Sequence, residues 1–343
     1  MKRFFSFAII FLCLGFLFPV FTKAQSDENL DEIMNTTISP EIPGPKQNVD
    51  ISIESYTYDL SRSKISWYVN SSLKSSNIGQ KTFSFTTGGV GSVSSIKYKV
   101  TTAEGTNFEK TLNITPGEVN LVWESLGYTP PFYKGKSLFS FEGTARIVAI
   151  PNLVAPNGTK YKQEELVYTW KHGMGTDLEA SGYGKSTFYF SGDIIARPAD
   201  ITVEVSNLNN TVRASNQTTV QAVQPEVYVY ENNPSLGILF NKAITNVFNL
   251  PGNEDSLVVE PFYFNNPDNE ARYTWSINGQ DANETSKFIT FRNTTGEEGH
   301  SNIGVDVTNQ KRIMQSVNTL FDIYFGSNTS KKSLLENIFG NQN

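Results

Sequence analysis

The chain contains two histidines, His172 and His300, and one cysteine, Cys13. A Ser-His-Asp catalytic site uses an imidazole as its general base, so it would have to be built on one of these two. His172 follows Trp170-Lys171 and precedes Gly173-Met174-Gly175, and His300 follows Gly296-Glu297-Glu298-Gly299. Both settings read as turns or loops, and no Gly-x-Ser-x-Gly elbow accompanies them. A structural zinc needs about four Cys or His ligands, which this inventory does not supply. Paired carboxylates can hydrolyse glycosides. Glu164-Glu165 and Glu297-Glu298 are candidate pairs, but neighbours on a strand point to opposite faces, and both read as solvated surface. Gly88-Gly89-Val90-Gly91 reads as a turn rather than a phosphate-binding loop. Calcium is the better-supplied chemistry, because it takes six to eight oxygen ligands. Asp268 and Glu270 in one Asn-rich loop, and Asp281 and Glu284 in another, are the candidates. Neither loop has the EF-hand spacing. We expect no enzyme activity and no cofactor.

Aromatic side chains are the remaining candidates. Tyr228, Tyr230 and Phe262-Tyr263-Phe264 could line a sugar or protein site, whereas Tyr128 and Phe132-Tyr133, beside Pro130-Pro131, read as packing between modules.

What must position these residues is a repeat. Trp67, Trp170 and Trp275 recur at intervals of 103 and 105 residues. Each is followed by an alternating aromatic segment: Thr82-Phe83-Ser84-Phe85, Thr187-Phe188-Tyr189-Phe190 and Phe288-Ile289-Thr290-Phe291. Each also has a later aliphatic segment, ending at Val100, Val205 or Val307. Apolar and polar residues alternate in most of these segments, the pattern of strands with one buried face. Candidate strands also precede each tryptophan, at Val49–Ile53, Ala145–Ala149 and Leu257–Val259. Order and spacing are kept together, so the chain reads as three copies of one module of roughly 100 residues, a size that can bury a core without disulfides or metals. The first two modules are expected to close alike, with Pro116-Gly117-Glu118-Val119 and Pro225-Glu226-Val227; the third lacks that signature.

A tryptophan on the third strand, buried between two sheets, is a hallmark of immunoglobulin-like sandwiches. On Trp67, Trp170, Trp275 and the strand ends Val205-Ser206-Asn207 and Val307-Thr308-Asn309, the chain resembles the immunoglobulin-like superfamily, including bacterial and PKD-type modules of surface proteins. PKD modules usually carry Trp-Asp-Phe-Gly-Asp-Gly, and this chain has Trp-Tyr-Val-Asn and Trp-Ser-Ile-Asn-Gly instead. The resemblance implies an all-β protein of three tandem immunoglobulin-like β-sandwich domains. It implies no particular function.

Lys2 and Arg3 precede an apolar run from Phe4 to Phe21, which ends in Thr22-Lys23-Ala24. This is the pattern of a secretory signal peptide cleaved after Ala24. The run is long enough that an uncleaved membrane anchor is the alternative. Either way the remainder is expected outside the cytoplasm, whether secreted, periplasmic or at the cell surface. The formal net charge is −6 and charged residues make up 18 % of the chain. Mild acidity without basic clusters disfavours nucleic acid and anionic lipid as partners.

The expected organisation is therefore a leader over 1–24, an acidic disordered spacer over 25–37, domains over 38–125, 126–231 and 232–325, and a polar tail over 326–343. The expected function is a semi-rigid surface or envelope stalk, or an adhesion scaffold, with proteins or glycans as partners. Carbohydrate binding and an accessory role in pilus or secretion assembly are the alternatives.

Overall fold

The structure is a computed structural model, and it describes residues 33–195 and 197–326. The leader and most of the expected spacer and tail lie outside the described residues. Among the described residues no helix is long and apolar enough to cross a membrane.

The described chain folds almost entirely as strands, in three tandem immunoglobulin-like sandwiches. Domain 1 contains β1 (Asn35–Ser39), β2 (Asn48–Glu54), β3 (Lys64–Val69), β4 (Ser72–Ile78), β5 (Thr82–Thr86), β6 (Ser94–Thr101) and β7 (Asn107–Ile114). Its sheets have the orders β1-β2-β5 and β4-β3-β6-β7. Domain 2 contains β8 (Glu118–Ser125), β9 (Thr144–Asn152), β10 (Val167–His172), β11 (Gly175–Tyr183), β12 (Thr187–Ser191), β13 (Ala199–Ser206) and β14 (Arg213–Val220). Its sheets repeat the plan, as β12-β9-β8 and β11-β10-β13-β14. Domain 3 contains β15 (Glu226–Asn233), β16 (Gly237–Ile238), β17 (Val247–Asn249), β18 (Glu254–Phe262), β19 (Ala271–Ile277), β20 (Gln280–Asp281), β21 (Phe288–Arg292), β22 (Gly299–Asn309) and β23 (Ser316–Phe325). Here the sheets are β16-β15-β18-β21 and β17-β23-β22-β19-β20.

Each domain packs its own core around one tryptophan. Trp67, Trp170 and Trp275 are wholly buried. A buried indole N–H needs an acceptor. It finds the carbonyl of Gln80 at 3.0 Å, of Lys185 at 2.9 Å and of Ser286 at 2.9 Å. In domains 1 and 2 the first aromatic of the following strand lies almost flat against the indole. Phe83 is 5.3 Å from Trp67 at 13°, and Phe188 is 5.5 Å from Trp170 at 19°. Ile289 stands at this place in domain 3, and there Phe291 approaches Trp275 edge-on at 6.4 Å and 75°.

The hairpin after each tryptophan has two loop residues. Asn70-Ser71 and Asn278-Gly279 both have positive φ, the backbone of a type I′ turn, whose twist suits paired strands. Gly173-Met174 makes the third, with positive φ at Gly173.

Two boundaries differ from the expected ones. β8 pairs with β9 from Glu118 opposite Asn152 to Ser125 opposite Ala145, and Val119, Leu121 and Trp123 pack into the domain 2 core. β15 pairs with β18 in the same way. The Pro-(Gly)-Glu-Val segments therefore open domains 2 and 3 rather than closing domains 1 and 2. Domain 3 does not lack the signature; Pro225-Glu226-Val227 is its own. The end of the expected spacer is also ordered. Met34 is buried in the domain 1 core, and β1 pairs with β2 along its whole length. Ile33, Met34 and Ile38 supply the apolar surface that holds this segment against the core.

Candidate functional site at the junction of domains 2 and 3

The long connection between β8 and β9, residues 126–143, seats Phe139 in the domain 2 core and lies against domain 3. Pro130-Pro131 and Gly127 keep it from pairing as a strand. It meets two loops of domain 3: the one from Tyr263 to Glu270, between β18 and β19, and the one from Gln310 to Gln315, between β22 and β23.

Backbone bonds tie the surfaces together. Tyr128 N–H donates to the Phe264 carbonyl at 2.7 Å, and Tyr263 N–H donates to the Tyr128 carbonyl at 2.6 Å. A Cβ on Gly127 would stand 2.9 Å from the Tyr263 carbonyl oxygen, so this approach requires glycine. The Tyr128 hydroxyl donates to Glu260 at 3.0 Å. Glu260 is almost wholly buried, and Lys287 lies 3.5 Å from its other oxygen. Burial, then the charge and hydrogen bond of Glu260, push the Tyr128 hydroxyl pKa well up. Tyr133 and Tyr263 hydroxyls pair at 3.1 Å. Burial, followed by that contact, raises the Tyr263 pKa as well.

Behind these aromatics lies a buried polar network. The Gln315 side-chain amide donates to Ser140 Oγ at 3.1 Å, the Phe141 carbonyl at 2.9 Å and Asn265 Oδ1 at 2.8 Å. Its oxygen accepts from the Asn265 N–H at 2.9 Å and from Asn309 Nδ2 at 3.1 Å. Ser140 Oγ in turn donates to the Tyr263 carbonyl. Glu142 takes the Met314 N–H at 2.7 Å on its carboxylate and Arg312 Nε at 3.1 Å on its carbonyl. Phe132, Glu142, Tyr263 and Asn266 all have positive φ. Each such non-glycine residue costs roughly 1–2 kcal/mol, and four of them meet at this junction.

The structure does not gather the expected calcium candidates. Asp268 and Glu270 belong to a single helical turn, Pro267–Glu270, ahead of β19; Asp281 and Glu284 follow its far end. Asp281 and Glu284 accept the N–H groups of Asn283 and Ser286 and so shape turns. Glu270 is buried against protein cations instead. It is bonded to Arg312, and Lys311 lies 3.3 Å away. Desolvation pushes this carboxyl up, but the bond from Lys311, the charge of Arg312 and bonds from Asn309 and Asn266 outweigh it. They hold its pKa below the ordinary value of 4.5. No group of three or more His, Cys, Asp or Glu side chains could hold a metal among the described residues. The two histidines lie in different domains, where His172 packs edge-on against Phe190 and His300 stacks on Tyr324.

Of the aromatics singled out above, Tyr128, Tyr133, Tyr228, Phe262 and Tyr263 form one cluster at the junction. Phe132 is 84 % exposed, with its ring 6.1 Å from Phe240 and tilted by 56°. Gln315, Ser140, Glu142 and Arg312, which carry the polar network, stand out in no sequence pattern. The only faint sign is the unusual length of the connection that contains Ser140 and Glu142.

No family model matches the chain, and no curated protein sequence matches it. Several solved structures are similar to parts of the chain. The three N-terminal domains of the bacteriophage RB49 highly immunogenic outer capsid protein are 12 % identical, with coverage of 85 % of this chain and 97 % of that one and a TM-score of 0.26. Fibronectin(III)-like modules of Clostridium thermocellum CbhA are 14 % identical over 55 % of this chain and 94 % of theirs, with a TM-score of 0.26. SGBP-B of the Bacteroides ovatus mixed-linkage glucan utilization locus, solved with a mixed-linkage heptasaccharide, is 11 % identical over 84 % of this chain and 70 % of that one, with a TM-score of 0.18.

Proposed function

We propose that this chain is a non-enzymatic, extracytoplasmic interaction scaffold in which tandem sandwiches are held at fixed relative positions. The observation that carries the reading is the junction of domains 2 and 3. A buried network with Gln315 wholly inside is unlike the wet, sparse contacts expected between freely moving domains. Such a network is costly to half-form, so it favours one arrangement over many. The apolar run from Phe4 to Phe21 behind Lys2 and Arg3, read as an export leader, supports a role outside the cytoplasm. On this reading the modules are of the bacterial surface-protein kind, PKD-type included, and the partners are envelope or surface proteins, or glycans.

Two measurements test it. Small-angle scattering of the mature chain reports whether it is extended: a radius of gyration near the roughly 20 Å of a compact chain this long sinks the stalk. Protease shaving of intact cells reports where the array stands. Release of domain peptides from intact cells supports a surface scaffold, and protection until the envelope is broken points to internal assembly. Glycan binding has one observation in its favour, the exposed Phe132 beside Phe240. The rings are tilted rather than coplanar, so they make a poor sugar platform, and a glycan array without a hit removes this alternative.

A further inference from the structure

At the end of domain 3 where β23 stops, a cleft of about 270 Å³ is lined from both sheets. Leu250, Ile303 and Ile323, buried in the domain core, lie beneath it, and half-buried Phe291 and Phe325 flank it. Residues 293–298, between β21 and β22, run along one side, with Asn293, Thr294 and Thr295 at the rim. Small-molecule sites run from about 300 to 1,000 Å³, so the cleft is sized for one or two apolar side chains rather than for a free metabolite. The Arg292 guanidinium at the rim is already bonded to Glu254.

The chain leaves the sandwich beside this cleft. Phe325, the last residue of β23, is one of the walls, and Gly326 then turns the backbone at φ +76°. A Cβ on Gly326 would overlap the Glu297 carbonyl and stand 2.7 Å from the Glu298 Cα, so the exit is held against the loop that rims the cleft. Asn293 Nδ2 donates to the Glu297 carbonyl at 3.0 Å and ties that loop together. Glu297 and Glu298 are exposed, and neither has a cation partner among the described residues. Beyond Gly326 the sequence supplies the complement. Lys331-Lys332 is followed by Ser333 and by the apolar residues Leu334, Leu335, Ile338 and Phe339. From Gly326 to Leu334 an extended chain reaches roughly 27 Å, ample for a cleft whose wall is Phe325.

We propose that the domain 3 cleft receives the chain's own tail, with Leu334-Leu335 on its apolar floor and Lys331-Lys332 set against Glu297 and Glu298. Such a contact is weak by itself. A short tether holds the tail at an effective concentration of the order of millimolar, so a contact with an intrinsic Kd of about 0.1 mM is occupied roughly ten to one. The charges lie at an exposed rim, where they set register more than they add affinity. A partner that uses the cleft must compete with the tail, which weakens its apparent affinity by about the same factor. The inference stands on the cleft and the exit of the chain, not on the scaffold reading, so its failure leaves the scattering test untouched.

Hydrogen–deuterium exchange of the mature chain, read by mass spectrometry, is the test, with Leu334→Ser/Leu335→Ser as the first variant. Both substitutions lie beyond the last strand, so the sandwich does not depend on them. In the wild type the amides of residues 333–339 should exchange roughly tenfold more slowly than unstructured chain. The variant should return them to the unstructured rate and speed exchange in residues 293–298. Glu297→Lys/Glu298→Lys, at exposed positions, should weaken the tail's protection by roughly threefold, and adding Lys331→Glu/Lys332→Glu should restore it. Tail amides at the unstructured rate in the wild type, rim amides unmoved by the leucine substitutions, or charge reversals that neither weaken nor rescue protection overturn the proposal. So does protection that vanishes on dilution, which assigns the cleft to the tail of another copy.

Discussion

Gln315 of domain 3 donates its side-chain N–H to Ser140 Oγ of domain 2 at 3.1 Å, and both residues are completely buried. A buried amide with three acceptors and two donors around it has nowhere else to go, so the two domains are coupled through a bond that water does not replace.

Gln315→Ala strands several of those partners. A buried group left unsatisfied costs about 1–3 kcal/mol, so we expect the variant to lose roughly that much stability. Chemical denaturation followed by near-ultraviolet circular dichroism checks it. A loss below a few tenths of a kcal/mol means the network is hydrated and does not lock the domains.

Glu270 makes the same region acid-sensitive. Its folded pKa lies below the unfolded value near 4.5, so its contribution is present above that value and is lost as pH falls through the folded pKa. Arg312→Ala removes one partner of a half-buried pair in which Glu270 keeps Lys311, and should cost about 1.5–3 kcal/mol at neutral pH. Below pH 4 the difference from wild type should narrow. A constant gap across the acid range contradicts this assignment.

The tyrosines provide an alkaline signature. Tyr168 and Tyr273 are pushed up to about 12, mainly by burial, and Tyr128 and Tyr263 are raised as well. Raised phenols stabilise the fold fully below their ordinary value near 10, and that stability fades as pH climbs through the folded pKa values. Absorbance titration should therefore show these four ionising only above the ordinary phenol value near 10. Phenol ionisation that is complete near 10 in the folded protein would falsify the packing described here.

Glycine positions test the junctions separately from the domains. Gly127→Val places a side chain where even a Cβ lies 2.9 Å from backbone of domain 3; Gly91→Ala puts a Cβ 2.7 Å from the Val154 side chain of domain 2 and also strains a backbone at φ +75°. Each should change the scattering curve by splaying one junction, with little change in the unfolding of the flanking cores. Scattering profiles identical to wild type indicate junctions loose enough to absorb the intrusion.

Trp170→Ala should behave in the opposite way. The indole is wholly buried and stacked on Phe188, and replacing such a ring costs about 3–5 kcal/mol. Calorimetry is expected to show the transition of domain 2 destabilised, while that of domain 1 keeps its place.

Sequence periodicity alone determined the all-β class, the threefold repeat and the burial of its tryptophans. Strand alternation and a conserved order of landmarks are local properties, and they survive without knowledge of which strand pairs with which. The place of Tyr128 and Tyr133 between modules was legible too, from the Pro130-Pro131 break beside them. What the tertiary structure alone decided is partnership. Glu118–Ser125 alternates equally well as the last strand of one domain or the first of the next, and only its ladder with Thr144–Asn152 assigns it. Glu270 reads as a calcium ligand by type, and only folding shows that Arg312 and Lys311, some forty positions away, hold its charge. Gln315 and Ser140 have no local signature at all, because the bond between them joins positions 175 residues apart. Its energy depends on the exclusion of water by two domains that must first fold separately.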